Sequence, residues 1–136
     1  MTVTENKLAI IELMHAYILS IDSHDNQLFA DHFTEDGVYQ SPWGTAIGKT
    51  AIIGTIDYWH SSGITDGKRH FVGSILIKQL QDSEALVESS YWVASAKETP
   101  SIVATGFYED ILRKENGQWK IANRKQTVDP SFKMNS

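Results

Sequence analysis

The spacing of apolar positions changes once along the chain, near residue 68. Before it, apolar residues recur every three or four positions; after it, they alternate. Leu8, Ile11, Met14, His15, Ile18 and Ile21 mark one helical stripe. Thr4 stands where a helix cap belongs, with Glu5 in the first turn. Asp22 follows Ile18 by one turn, which puts a carboxylate beside the stripe at the helix end. Ser23-His24-Asp25-Asn26 breaks the pattern. A second short helix is predicted over 27–33, anchored by Leu28, Phe29 and Phe33. Residues 34–37 read as a turn and 38–41 as a short strand, interrupted by Pro42 and the Trp43-Gly44 bend. A third helix runs from Gly48-Lys49-Thr50 to about residue 60, with Ile52, Ile53, Ile56 and Trp59 on its apolar side.

From residue 69 the alternation predicts four strands, over 69–81, 84–97, 101–114 and 118–128. Their separators are turn chemistry, and Asn116-Gly117 is the strongest hairpin signal. Strands joined this tightly are antiparallel neighbours. On the first of them His70, Val72, Ser74 and Leu76 share a face. Phe71, Ile75, Ile77, Leu86 and Val103 fall to the outer face, where they predict a homodimer or a higher symmetric oligomer. The tail after Asp129-Pro130 offers only Phe132 for docking. Helices followed by a meander make an α+β domain, one unit over 1–136, whose curved sheet encloses a small-molecule pocket.

Composition narrows the function. The 136 residues, 41% hydrophobic and 21% charged, describe an ordinary globular chain. A net charge of −5 argues against a nucleic-acid partner. No cysteine is present, which excludes disulfides and thiolate chemistry and fits a cytoplasmic location. No signal peptide is expected, and no apolar run approaches the ~20 residues that cross a bilayer, so no membrane partner is expected either. The five histidines show no zinc-motif spacing. With no glycine-rich phosphate loop and no Gly-x-Ser-x-Gly elbow, no metal or cofactor is expected.

What remains is a carboxylate, an imidazole and several aromatics. Imidazole is matched to proton abstraction near neutral pH, and a carboxylate on one ring nitrogen sets the tautomer that frees the other. Asp22 and His70 are the candidate pair. Tyr17, Tyr39 or Tyr108 would donate a hydrogen bond to a developing oxyanion, and Trp43, Trp59, Trp92 and Phe107 would wall an apolar, cyclic substrate. His15 reads as a packing residue, and His24 and His32 as exposed helix flanks. Arg124 reads as an ion-pair partner across the sheet ahead of a holder of an acidic substrate group, and Glu88 and Asp110 are the strand carboxylates that cyclisation or epoxide opening would draw on, unless they face solvent.

Six segments carry a family likeness: Tyr17-Ile18-Leu19-Ser20-Ile21-Asp22, Phe33-Thr34-Glu35-Asp36-Gly37, Gly48-Lys49-Thr50-Ala51-Ile52-Ile53, Arg69-His70-Phe71-Val72-Gly73, Gly106-Phe107-Tyr108-Glu109-Asp110 and Gly117-Gln118-Trp119-Lys120-Ile121. In this order the chain resembles the nuclear transport factor 2-like superfamily, in particular its SnoaL-like branch. The resemblance implies a cone-shaped α+β barrel with three N-terminal helices on a strongly curved, mainly antiparallel sheet. Asp22 and His70 look most like the pair of scytalone dehydratase, lindane dehydrochlorinase and the bile-acid dehydratases, in which an aspartate orients a histidine that takes a proton from carbon. Tyr39 falls where scytalone dehydratase has a pocket tyrosine. Tyr17 matches the oxyanion-hole tyrosine of ketosteroid isomerase, whose base position is filled here by Gln40 or Ser41. The chain departs from scytalone dehydratase in lacking a histidine over 87–97, in having Ile21 beside the aspartate, and in having Gly106 and Tyr108 on the next strand. The expected function is a cofactor-independent lyase of the dehydratase type, or an isomerase, acting on a small apolar substrate. The alternatives are a non-catalytic binding or assembly domain, such as a small subunit of a larger enzyme, and a cyclase or epoxide-opening enzyme.

Overall fold

A computed structural model describes residues 1–97 and 99–131; the docking expected of Phe132 lies outside them. The order is α1 (Val3–Asp22), α2 (Asn26–Asp31), β1 (Phe33–Ser41), β2 (Gly44–Ile47), α3 (Lys49–Ser61), β3 (Lys68–Leu80), β4 (Glu84–Ser95), β5 (Ser101–Glu115) and β6 (Gln118–Val128). The strands form one curved sheet in the order β2-β1-β6-β5-β4-β3. All pairings are antiparallel except β1 with β6. The helices pack on its concave face, the α+β architecture expected.

α1 begins two residues earlier than Thr4 suggested. Thr2 is the cap: its hydroxyl accepts from the Glu5 N–H at 3.1 Å, and Glu5 Oε1 accepts from the Thr2 N–H at 3.0 Å. The buried face is Ile10, Leu13, Met14, Tyr17, Ile18 and Ile21. Leu8 and Ile11 are exposed instead, because each step of three residues drifts roughly 60° around a helix and carries them off the face. His15 is exposed as well, not turned toward the stripe.

α2 ends at Asp31, so Phe33 is a buried strand residue, and Leu28 is exposed. Residues 34–37 are part of β1, where a register shift between Phe33 and Val38 absorbs them. β2, only four residues long, went unpredicted.

β3 departs most from strict alternation. Ser74 has φ +48° and the register with β4 shifts between Gly73 and Leu76. The extra residue inverts the faces beyond it. Leu76 is therefore 58% exposed, while Ile75 and Ile77 pack on the core. A second shift, between Val93 and Ala94 on β4, accompanies the turn of Val103 into the cavity rather than outward. Phe71 stays outside, stacked on Trp92 at 5.4 Å. The Asn116-Gly117 hairpin forms as expected, with φ of +52° and +78° at its two turn residues and Glu115 opposite Gln118.

Candidate active site

The last residue of α1 and the start of β3 meet at the open end of the sheet. Asp22 closes a helix whose last turn holds no basic residue, so its carboxylate stands at the negative end of the helix dipole. Its partners come from β3. Asp22 Oδ1 lies 2.8 Å from His70 Nδ1, and Oδ2 accepts the His70 backbone N–H at 3.0 Å. With the Nδ1 proton directed at Asp22, the Nε2 lone pair is left for a ligand. His70 lines a cavity of about 930 Å³, and Asp22 supports it from behind without lining the cavity itself.

Among the four residues expected to bind substrate, Tyr39, Trp59 and Tyr108 line the cavity and Tyr17 does not. Tyr17 is fully buried, its ring 4.1 Å from the Arg124 guanidinium. The same guanidinium lies 3.9 Å from the Tyr108 ring. Arg124 Nε and Nη2 donate to the two Asp110 carboxylate oxygens, each at 2.8 Å. The ion pair expected of Arg124 is thus present, but its partner Asp110 is buried rather than solvent-facing. Glu88 is half-buried and pairs with Lys78 at 3.0 Å. Burial by itself would pull the Arg124 pKa down; the Asp110 carboxylate outweighs it and holds the pKa above the ordinary value.

A hydrogen-bond chain crosses the cavity wall. The Tyr39 hydroxyl donates to Gln126 Oε1, Gln126 Nε2 donates to the Tyr91 hydroxyl at 2.9 Å, and that hydroxyl donates to the Thr127 carbonyl at 3.2 Å. The Tyr39 and Tyr91 protons are therefore committed within the wall. The Tyr108 hydroxyl enters no hydrogen bond among the described residues. Burial pushes the pKa of Tyr39 and Tyr108 well above the ordinary phenol value and that of Tyr91 up to about 12, so all three stay protonated at neutral pH.

Sequence reasoning missed Gln126, Tyr91, Thr65 and His60. Counting back from the Asn116-Gly117 hairpin would have placed Gln126 opposite Tyr108, once the register shift at Ile111/Leu112 is allowed for. His60 Nδ1 lies 2.5 Å from the hydroxyl of Thr65, which lines the cavity. His24 is exposed as expected, yet its ring stacks on His60 at 3.8 Å. Burial, then the neighbouring His24 and His70, lower the His60 pKa. Trp43 and Trp59 meet edge to face at 5.7 Å and both line the cavity. Trp92 and Phe107, also expected there, do not line it. Among the described residues, no three His, Cys, Asp or Glu side chains are grouped as a metal ion would require, and no helix is long and apolar enough to cross a membrane.

Comparison with known proteins agrees with this architecture. A protein of unknown function with a cystatin-like fold from Nostoc punctiforme is 30% identical over 97% of this chain and 96% of its own, with a TM-score of 0.85. A function-unknown protein from Mycobacterium tuberculosis is 28% identical over 95% of this chain and 77% of its own (TM-score 0.83). A candidate scytalone dehydratase from Novosphingobium aromaticivorans is 27% identical over 93% of this chain and 85% of its own (TM-score 0.77). No curated protein matches the chain in sequence. The sequence model of the SnoaL-like domain matches residues 2–125, nearly the whole chain, and the protein belongs to that family.

Proposed function

We propose that this protein is a cofactor-independent lyase of the dehydratase type, in which His70 removes a proton from a carbon next to a carbonyl group. The observation that carries the proposal is the 2.8 Å contact between Asp22 Oδ1 and His70 Nδ1 on the wall of the cavity. In the forward step His70 Nε2 takes the proton, and the C–H electron pair moves toward the carbonyl. The Tyr108 hydroxyl donates to the enolate-like oxygen, and Asp22 stabilises the imidazolium. The electron pair then forms the carbon–carbon double bond as the leaving hydroxide departs. That hydroxide takes the proton from His70 and leaves as water, which restores the neutral imidazole. Returning the proton to a different carbon instead would make the reaction an isomerisation. The similarity to a candidate scytalone dehydratase supports the elimination.

The test is deuterium uptake at carbon, followed by NMR in heavy water, across a panel of cyclic β-hydroxy carbonyl compounds. Water loss is followed in parallel by mass spectrometry. His70→Ala is expected to lower the exchange rate by about 10²- to 10⁴-fold, the usual contribution of a general base. A folded His70→Ala protein exchanging within a few-fold of wild type would refute the proposal. Ligand binding without any exchange in the wild type would favour a binding domain.

A further inference from the structure

We propose that the substrate carries a carboxylate, and that Lys68 holds it. This deepens the proton-transfer reading by naming a substrate class for the same cavity, but the anion contact stands on observations of its own.

The first is charge. The chain has 17 acidic and 12 basic residues, yet among the described residues no Asp or Glu lines the cavity. Among the described residues Lys68 is the one lysine or arginine there. A lining that holds an ammonium group and, among the described residues, no carboxylate is suited to an anion and repels a cation.

The second is the absence of a competing partner. Four other cations form ion pairs, Lys49 with Asp31 and Glu35, Lys78 with Glu88, Arg113 with Asp36 and Glu115, and Arg124 with Asp110, while Lys7, Arg69, Lys97 and Lys125 are exposed to water. Lys120 donates to the Asp31 carbonyl and Lys114 to Asn6. Among the described residues Lys68 has no side-chain hydrogen bond or ion pair, although it is half-buried. Its backbone is fixed, with the N–H donating to the Thr65 carbonyl at 3.1 Å and the residue paired with Ser95 on β4. A partly desolvated ammonium on a fixed root is short of an acceptor that a ligand can supply.

The third is spacing. Lys68 and His70 are alternate residues of β3, both on the cavity face, so their roots are about 6.5–7 Å apart. That is about the breadth of one six-membered ring. A flat cyclic acid packed against the Trp43 and Trp59 rings would present its carboxylate to Lys68 and a C–H to His70. One ammonium without a second cation suits a monoanion better than a phosphate dianion.

Binding can be measured without turnover. Calorimetric titrations at neutral pH would compare benzoate with benzamide and 2-naphthoate with 2-naphthamide. The proteins are wild type, Lys68→Met, Lys68→Gln, Lys68→Arg and His70→Ala, each checked for folding by circular dichroism. In wild type, at least one acid should bind about tenfold or more tighter than its amide, as one charge-assisted hydrogen bond provides. The preference should persist in Lys68→Arg and His70→Ala and vanish in Lys68→Met and Lys68→Gln. Equal binding of acid and amide in both pairs overturns the proposal, as does a preference that survives loss of the Lys68 charge in either neutral variant. Failure of His70→Ala to slow proton exchange, with the acid preference intact, would sink the lyase reading alone.

Discussion

Asp22 grips His70 at two points, with Oδ1 2.8 Å from the ring Nδ1 and Oδ2 3.0 Å from the backbone N–H. The backbone contact anchors the start of β3 to the end of α1, and the ring contact sets the direction of the imidazole. Asp22→Asn separates the two roles, since an amide oxygen still accepts from the backbone while the negative charge is lost. The variant should fold, show a mixed Nδ1/Nε2 tautomer in place of the Nδ1–H form by ¹⁵N NMR of the His70 ring, and lose about 10²-fold or more in kcat/KM. An unchanged tautomer with unchanged rate would remove Asp22 from the site.

His60 gives stability a pH dependence whose sign is fixed by its environment. Its folded pKa lies below the ordinary 6.5, through burial first and then through His24 and His70, against the smaller opposing pull of Asp57 and Asp22. Half-buried His32 is lowered too, chiefly by burial. Below about pH 6.5 the unfolded chain therefore takes up protons that the folded chain does not, and stability falls as pH falls until the folded groups titrate. Urea midpoints should drop between pH 7 and pH 5.5, and His60→Gln should flatten part of that slope.

The buried tyrosines act at the other end of the scale. Tyr17, Tyr39 and Tyr108 have pKa values raised by burial, and Tyr91 reaches about 12. In the unfolded chain these phenols ionise near pH 10. Above pH 10 the folded state then holds protons that the unfolded state releases, so stability declines as pH rises. In a spectrophotometric titration, ionisation of these four should coincide with loss of the far-ultraviolet circular dichroism signal. Smooth ionisation of all five tyrosines with the fold intact would contradict their burial.

Much of the architecture was legible because it is written in local pattern. The Asn116-Gly117 turn, the switch of apolar period near residue 68 and the Asp22–His70 proximity all followed from spacing or family likeness. The errors lie where tertiary contacts override the local signal. Ser74 adopts φ +48° although it is not a glycine, and that single bulge reversed Ile75, Leu76 and Ile77. Asp110 looked like a solvent-facing strand carboxylate because its burial depends on Arg124, fourteen residues away and directly opposite on β6. The wall chain through Gln126 was equally hidden, since it joins β1, β4 and β6 through side chains distant in sequence.

Gly106 makes that wall possible. A methyl group there would lie 2.1 Å from the Thr127 carbonyl oxygen and 2.6 Å from the Tyr91 hydroxyl. Only a hydrogen leaves room for Tyr91 to pass and donate to Thr127. Gly106→Ala must displace backbone as well as the ring, which costs about 1–3 kcal/mol by the usual penalty for overpacking. Urea denaturation should register that loss. Gly106→Ala/Tyr91→Phe should recover only part of it, because the Thr127 carbonyl clash remains.

The Arg124–Asp110 pair is fully buried, with the guanidinium packed against the Tyr17 and Tyr108 rings and Nη2 3.4 Å from Met14 Sδ. Removing one member leaves the other as an uncompensated interior charge, so Asp110→Ala and Arg124→Met should each destabilise by about 3–5 kcal/mol. Removing both should cost far less than the two losses added, since neither charge is then stranded. The double variant Asp110→Leu/Arg124→Met, compared with both single variants by urea denaturation, measures this coupling. Its cavity should still bind ligand if the pair serves the fold alone. If the double variant is stable but no longer binds, the guanidinium is positioning the Tyr108 ring for the ligand as well as holding the sheet together.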